Sequence, residues 1–364
     1  MSDRVFLQQL YPNPDAVVKE APNIDIVLIH GVNGGAIKTW ECTKDQNKNL
    51  LDPVVWPRDL LPQQFPRARI LAFGYNGDIY RNDSLAGIRD LGKTLLSYLT
   101  LKRQDVEPSR PILFIAHCLG GIIVKQALHT AHYERDYSRI AKETAGIFFF
   151  GTPHLSSSKD KWDHLVKAYS SLDKPSGWLR RSRLVKALQK DSDELVDLMN
   201  KFRHMMVKDN RGVDRSGKTS MRWTIVNFYE TVEYPGAKAC IVDMTAAQMN
   251  VPGEILKAVH RDHAGMCQFA TEEDPAFQEL CAEIKKLVPE EYRQVGVFEW
   301  RVKNDGEEDE LRAEERAGSR MIEERAGNHI IGDQRQGYYL EERKPELSDI
   351  LGPRVVEVAE TVQT

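Results

Sequence analysis

The hydrophobic residues in the first half of this chain fall into short runs separated by glycine-rich or polar turns. Such runs occupy residues 5–11, 25–29, 69–75, 112–116 and 145–151. Their length and their content of β-branched and aromatic residues predict buried β-strands rather than helices. We therefore expect the first half of the chain to supply most of one sheet.

Between the third and fourth of these runs, apolar residues recur every three or four positions, which is the spacing of an amphipathic helix. The helix-forming positions are Leu85, Ile88, Leu91, Leu95 and Leu99. Strands that alternate with helices predict an α/β fold, in which a mostly parallel sheet carries helices on both faces. The loops that carry function would gather at the carboxyl ends of its strands.

The pattern changes after residue 154. Leucine, tryptophan and phenylalanine residues recur near helical spacing across residues 155–220, which predicts a helical insertion. We interpret this insertion as a lid over the functional loops, and the alternative is a helical layer that only packs on the sheet. The strand pattern returns at residues 222–229 and 239–244, and a closing helix follows.

These patterns predict three parts. Residues 1–154 and 221–290 form the α/β core, residues 155–220 form the helical lid, and residues 291–364 form a charged C-terminal appendage. The appendage is dense in glutamate, arginine and aspartate and has few apolar positions. This composition is typical of a solvated helix or a disordered tail, and we assign no chemistry to it.

Composition narrows the classes of function. The 364 residues carry a net charge of −4, which gives no electrostatic reason to expect a nucleic-acid partner. The sequence has no apolar stretch of about 18 residues and does not start with a signal peptide, so we expect a cytoplasmic protein without a transmembrane segment. The five cysteines are widely separated and form no C-x-x-C pair, which favours reduced thiols over disulfides or a zinc site. We expect no metal and no cofactor.

The most informative stretch is Ala116-His117-Cys118-Leu119-Gly120, which lies between a predicted strand and a predicted helix. A strand, a tight turn and a helix form the nucleophile elbow of the α/β-hydrolase fold, whose usual pattern is G-x-S-x-G. This chain has alanine at the first glycine position and cysteine at the serine position. We therefore predict that Cys118 is a nucleophile, and we expect the helix N-terminus to lower the pKa of its thiol.

Acyl transfer also needs a base, an acid group that orients the base, and N–H donors for the oxyanion. In α/β-hydrolases the chain order is nucleophile, acid, histidine. Cys118, Glu230 and His263 follow this order. The oxyanion donors would be the backbone N–H groups of Leu119 and of Val32, which lies in the loop His30-Gly31-Val32-Asn33-Gly34-Gly35.

The base and the acid have alternatives in the sequence. His260 and His154 compete with His263 for the role of the base, although His263 lies in a short polar loop at the expected place in the order. Asp243 and Asp262 compete with Glu230, which directly follows an apolar run.

Several segments together carry a family resemblance. The runs DIVLIHGVNGGAIKTW, RILAFGYNG, PILFIAHCLGGIIVKQAL, AGIFFFGTPH, VNFYET and DHAGMCQF resemble lipase-like α/β-hydrolases common in fungi, a group similar to serine-active-site proteins and to inositol deacylases. The resemblance covers residues 5–288. It implies Val32 and Leu119 as oxyanion donors, the elbow residue as nucleophile, Glu230 as acid and His263 as base. The family has serine where this chain has Cys118.

A cysteine nucleophile changes the expected function. Its acyl intermediate is a thioester, similar in energy to an acyl chain on a carrier thiol. We therefore expect an acyl-transfer enzyme that forms an acyl-S-Cys118 intermediate from an apolar ester or thioester, with an acyl carrier protein as a candidate donor. The products would be those of a thioesterase, an acyltransferase or a lactone-forming cyclase, as in fungal polyketide metabolism.

Three alternatives remain open at this stage. The chain could act as a lipase or esterase, it could be a catalytically silent hydrolase-fold binding module, or Cys118 could be a replacement of serine by design. The sequence also leaves open whether the chain associates with itself.

Overall fold

The computed structural model of the protein describes residues 5–15, 20–45, 48–77, 87–106, 110–154, 192–208, 211–213, 219–221, 223–235 and 239–288. The predicted C-terminal appendage, 291–364, lies outside the described residues. Most of the predicted lid also lies outside them, so the division of the chain into core, lid and appendage stays a prediction.

The strands occupy the apolar runs of the sequence together with two short hairpins. Their bounds are β1 Phe6–Tyr11, β2 Ile24–Ile29, β3 Glu41–Asp45, β4 Lys48–Val55, β5 Ala68–Gly74, β6 Ile112–His117, β7 Thr144–Phe150, β8 Arg211–Val213, β9 Thr219–Met221, β10 Thr224–Glu230 and β11 Ile255–Val259. In the described part of the chain, seven of them form one sheet in the order β1-β5-β2-β6-β7-β10-β11. Strand β1 is antiparallel to β5, and the other pairs in this sheet are parallel. Strands β3 and β4 form one hairpin, and β8 and β9 form another.

The helices that follow or precede these strands cover both faces of the sheet. Their bounds are α1 Trp56–Asp59, α2 Leu61–Gln64, α3 Ile88–Lys102, α4 Leu119–Tyr133, α5 Ser138–Glu143, α6 Ser192–Lys208, α7 Met244–Ala247 and α8 Pro275–Leu287. The predicted α/β-hydrolase fold, a mostly parallel sheet with helices on both faces, is confirmed.

Alternate residues of each strand feed two separate cores, as the period-2 geometry of strands requires. On one face, residues such as Val27 and Phe149 pack with α3, α4, α5 and α6. On the other face, residues such as Leu28 and Phe148 pack with α1, α2 and α8. Because both faces are covered, the central strands are largely apolar and form nearly continuous hydrophobic runs in the sequence.

One predicted strand is wrong and one strand was missed. Residues 239–243 form a loop that leads into α7 rather than a strand, because the N–H groups of Ile241 and Val242 bind a carboxylate instead of a neighbouring strand. Strand β10 pairs with β7 on one side, and on its other side it pairs with β11, Ile255–Val259. The residues of β11 are mostly half-exposed because it lies at the sheet edge, so it lacks a strong apolar pattern.

No helix within the described ranges combines the length and the apolar character that crossing a bilayer requires.

Candidate active site

The turn between β6 and α4 holds Cys118 in a strained backbone conformation. Cys118 has φ 55° and ψ −124°, and a positive φ is uncommon for any residue except glycine. Its N–H donates to the carbonyl of Phe150 at 2.9 Å, and its own carbonyl accepts from Gly121 N at 3.1 Å and from Thr152 Oγ1 at 3.2 Å. These bonds hold the sharp strand-to-helix turn that the sequence pattern predicted.

Two glycines are required by the close approach of neighbouring backbones to this turn. A Cβ at Gly120 would lie 2.3 Å from the carbonyl oxygen of Ile29, and a Cβ at Gly31 would lie 2.5 Å from the Cβ of Cys118. Ala116 stands where the usual pattern has its first glycine. It is fully buried in β6, between Ile29 and Phe149 on the two neighbouring strands.

Glu230 is the last residue of β10 and is 1% exposed. Its Oε2 accepts a hydrogen bond from His263 Nδ1 at 2.8 Å. Its Oε1 accepts from the backbone N–H groups of Ile241 at 2.5 Å and Val242 at 2.8 Å. The carboxylate is therefore fully engaged, with one oxygen fixed by the chain and the other directed at the imidazole.

His263 lies in the loop after β11 and is 4% exposed. Burial lowers the pKa of His263, but the charges of Glu230 and Cys118 and a hydrogen bond to each of them raise it, with a net pKa of about 10. Because Nδ1 is bonded to Glu230, Nε2 is the ring nitrogen left for Cys118. The imidazole is consequently a cation at neutral pH, and it lies between the carboxylate of Glu230 and the side chain of Cys118.

The alternative residues for the base and the acid have hydrogen-bond partners outside the Glu230–His263 pair. His260 Nδ1 is 3.1 Å from the hydroxyl of Thr231, and His154 Nε2 is 2.8 Å from Asn227 Oδ1. Asp243 accepts from Ala246 N at the start of α7, and Asp262 accepts from Gly265 N. The structure thus brings Glu230 and His263 to Cys118, and it engages these four alternatives elsewhere.

The loop that carries Val32 is fixed by a stacked pair of rings. His30 and Tyr75 stack with centroids 4.1 Å apart, and Tyr75 Oη donates to the His30 carbonyl at 2.7 Å. Tyr75 N donates to His30 Nε2, so Nδ1 carries the proton and donates to the Gly31 carbonyl at 2.9 Å. Burial lowers the pKa of His30 to about 4, which keeps this ring neutral.

Both predicted oxyanion donors lie beside the nucleophile. Leu119 is the first residue of α4, where backbone N–H groups have no acceptor within the helix. Val32 is half-buried and packs against the same group of side chains as Cys118. Their role as donors stays a prediction.

An apolar group of side chains surrounds Cys118, and we call it the nucleophile cluster. Its members are Cys118, Leu119, Ile122, Leu195, Leu198, Met199, Ile241, Val242 and Ala247. Three of them come from α6, the described helix of the predicted lid. Cys118 itself is 1% exposed.

A second buried polar group lies between α4 and α6, and within the described ranges no carboxylate accepts a hydrogen bond from its lysine, Lys125. Lys125 Nζ donates to the sulfur of Met199 at 3.0 Å and lies over the rings of Phe149 and Phe202. Burial lowers the pKa of Lys125 to about 7, and the charge of Glu254 opposes this shift. Lys125 therefore loses its charge near neutral pH.

The sequence did not predict two contributions to the site, namely the backbone N–H groups that bind Glu230 and the side chain of His117. The N–H groups belong to Ile241 and Val242, and backbone groups leave no signal in side-chain identity. His117 was visible as the residue before the nucleophile, and its place at the end of β6 puts it at the same sheet edge as Glu230. Among the described residues, no group of three histidine, cysteine or acidic side chains is placed to hold a metal ion, and none of the five cysteines, all of which are described, forms a disulfide.

The sequence of this chain is similar to that of known proteins. A family model described as "Putative serine esterase (DUF676)" matches residues 24–216. Protein SERAC1 of Danio rerio is 26% identical over 289 residues, which cover 73% of this chain and 40% of that protein. Protein SERAC1 of Homo sapiens is 24% identical over 287 residues, with the same coverage of both chains. The chain thus spans about 40% of the length of these curated relatives.

Solved structures give a weaker likeness. A carboxylesterase structure from Nitrososphaera gargenis covers 78% of this chain and 96% of its own, with 13% identity and a TM-score of 0.43. The match to a monoacylglycerol lipase of Paleococcus ferrophilus covers 78% of this chain and 97% of the lipase, with 11% identity and a TM-score of 0.41.

Proposed function

The chain belongs to the family described as "Putative serine esterase (DUF676)", and from this membership we propose that it is an esterase-type acyl-transfer enzyme whose nucleophile is Cys118. The observation that carries the proposal is the buried chain from Glu230 through His263 to Cys118. A carboxylate that orients a histidine beside a nucleophile is the arrangement that acyl transfer needs.

The first half of the reaction forms a thioester. The thiolate of Cys118 attacks the acyl carbonyl carbon, a C–S bond forms, and the carbonyl π electrons move to the oxygen. The N–H groups of Val32 and Leu119 stabilise the oxyanion. When the oxyanion collapses, the bond to the leaving alcohol or thiol breaks, and His263 Nε2 gives its proton to that leaving group.

The second half returns the enzyme to its starting state. Water or a hydroxyl group attacks the thioester, and neutral His263 takes the proton of the attacking group. The C–S bond then breaks, and the thiolate and imidazolium are restored. Glu230 orients His263 throughout and stabilises its positive charge whenever it is protonated, because Oε2 stays bonded to Nδ1.

The surroundings of Cys118 favour an apolar acyl group. The nucleophile cluster consists of leucine, isoleucine, valine, methionine and alanine side chains around the cysteine. Such a lining binds hydrocarbon through the apolar surface that it removes from water. Among acyl donors, a carrier-bound thioester fits the cysteine because transfer between two thiols is nearly isoergic. Hydrolysis, transfer to a hydroxyl and lactone formation then differ only in the second nucleophile.

A second candidate function is that of a catalytically silent binding module. The 1% exposure of Cys118 favours it, because a buried thiol is poorly accessible to a substrate. In that case the apolar surroundings would hold a ligand and no covalent step would follow.

Turnover of a panel of acyl thioesters of increasing chain length separates these candidates. We expect the unmodified protein and the His260→Gln control to turn over the longer acyl chains, and Cys118→Ala to be inactive. The control residue shares the loop of His263 but is bonded to Thr231. Full activity of Cys118→Ala, or no turnover by any protein, contradicts the proposal.

A further inference from the structure

His117 is the last residue of β6 and directly precedes Cys118. Its side chain is almost fully buried, and its ring centroid lies 4.8 Å from that of His263 at an angle of 43°. The two histidines come from elements 146 residues apart in the chain. The end of the nucleophile strand therefore packs directly on the loop of the base.

The contact between them is a hydrogen bond to the backbone of the base. His117 Nε2 lies 2.9 Å from the carbonyl oxygen of His263. A carbonyl oxygen can only accept, so Nε2 of His117 must carry the proton. This bond acts on the residue that bears the imidazole, whereas other hydrogen bonds of the loop act on His260, Arg261 and Asp262.

The electrostatic surroundings keep His117 neutral. Burial lowers its pKa well below the ordinary value, and the positive charge of His263 lowers it further, as does the nearby His30. His263 remains the cation because it alone of the two is bonded to Glu230. The site therefore holds one imidazolium and one neutral imidazole in contact.

We propose that His117 is a positioning residue for the base: its Nε2–H fixes the backbone of His263 so that the imidazole bridges Glu230 and Cys118. This inference rests on the proposed function of Cys118 and His263. Misplacement of a catalytic group by about 1 Å can cost on the order of 100-fold in rate. Glu230 fixes the Nδ1 end of the imidazole, and the hydrogen bond of His117 fixes the main chain that carries the ring.

Two variants of His117 separate positioning from packing. His117→Gln keeps an N–H donor, and His117→Phe keeps volume without a donor. We expect His117→Phe to lower kcat by about 10- to 100-fold with KM within about twofold, and His117→Gln to retain most of the rate. His260→Phe, in the same loop, is the control and should match the unmodified protein. Equal rates for His117→Phe and the unmodified protein, or equal losses in the phenylalanine and glutamine variants, overturn the proposal.

Alkylation of Cys118 by iodoacetamide also depends on the position of the His263 imidazole but involves no acyl transfer. It therefore still tests His117 if the proposed function fails. A displaced imidazolium stabilises the thiolate less, and the pH midpoint of alkylation should move upward in His117→Phe but not in His117→Gln. If His117→Phe does not fold, the ring ¹⁵N shifts of His117 in the unmodified protein decide. A proton on Nε2 supports the proposal, and a proton on Nδ1 overturns it.

Discussion

Glu230 Oε2 and His263 Nδ1 are joined by a 2.8 Å hydrogen bond in the interior of the protein, and Glu230 Oε1 is held by two backbone N–H groups. The carboxylate thus cannot rotate away from the imidazole without breaking three hydrogen bonds. This rigidity supports Glu230 as the acid partner of His263.

Glu230→Gln should lower kcat by about 10³- to 10⁴-fold. The amide can keep the bonds from Ile241 and Val242, but its NH₂ would then face His263 and select the wrong tautomer. Losing the charge of Glu230 should also lower the pKa of His263, because that charge raises it. Steady-state kinetics and a histidine NMR titration measure the two effects.

Glu254→Gln is the matched control for this variant. Glu254 also accepts backbone N–H groups, but its side-chain partner is Asn227. A loss of activity in Glu254→Gln as large as that in Glu230→Gln would mean that the site had been assigned to the wrong carboxylate.

The pH dependence of acylation should have opposite signs in the unmodified protein and in Cys118→Ser. With cysteine, His263 must be protonated to serve as the acid, so the rate should fall as pH rises through about 10. In Cys118→Ser the charge and hydrogen bond of the thiolate, which both raise the pKa of His263, are lost. The pKa then falls, His263 must act as the base, and the rate should rise with pH through this lower value.

An alkyl ester suits this measurement because its alkoxide leaving group needs a proton. Rapid quenching between pH 6 and 10.5 gives the acylation rate. If the acylation rate changed with pH in the same direction in both proteins, the resting pair would not be a thiolate and an imidazolium.

Gly120→Ala should lower the free energy of unfolding by about 1–3 kcal/mol or prevent folding. The new Cβ would lie 2.3 Å from the Ile29 carbonyl, and main-chain atoms cannot give way as a flexible side chain can. Gly87→Ala is the control, since a Cβ there meets no atom of the described residues within 4 Å and φ is −71°. Urea denaturation should place this control within about 1 kcal/mol of the unmodified protein. Equal stabilities for the two variants would disprove the close approach at the elbow.

Lys125→Met should stabilise the protein, and most strongly at low pH. The folded pKa of Lys125 is lowered to about 7, below its ordinary value of 10.5, so burial of the charged form costs stability below pH 7. The cost declines as pH rises from about 7 to 10.5, because the folded protein then holds a neutral amine. Methionine carries no charge, so its advantage should exceed about 1 kcal/mol at pH 6 and shrink by pH 9. Urea denaturation at both pH values measures this difference in stability between Lys125→Met and the unmodified protein. A difference that grows with pH would show that the pKa of Lys125 is not lowered in the folded protein.

The sequence predicted the parts of this molecule that depend on local pattern. The elbow around Cys118 and the central parallel strands are apolar runs with an abrupt turn, and the structure has them where expected. The positions of Glu230 and His263 followed from chain order. Their hydrogen bond is the contact that this order implied.

The remaining features depend on tertiary contacts. Residues 239–244 resemble a strand because Ile241 and Val242 are apolar, yet they are buried against the nucleophile and their N–H groups serve Glu230. Strand β11 was missed because an edge strand with half-exposed side chains has little apolar pattern. The burial of Lys125 between α4 and α6 also has no signature in the sequence, since lysine is ordinarily exposed.

Intact-mass analysis after mixing with a slowly hydrolysed acyl thioester is the sharpest test of Cys118 as the nucleophile. We expect the protein to gain the mass of one acyl group, peptide mapping to place that group on Cys118, and hydroxylamine to remove it as a thioester. Cys118→Ala should gain no mass. Turnover of the thioester with no adduct on Cys118, or with full activity in Cys118→Ala, would show that Cys118 is not the nucleophile.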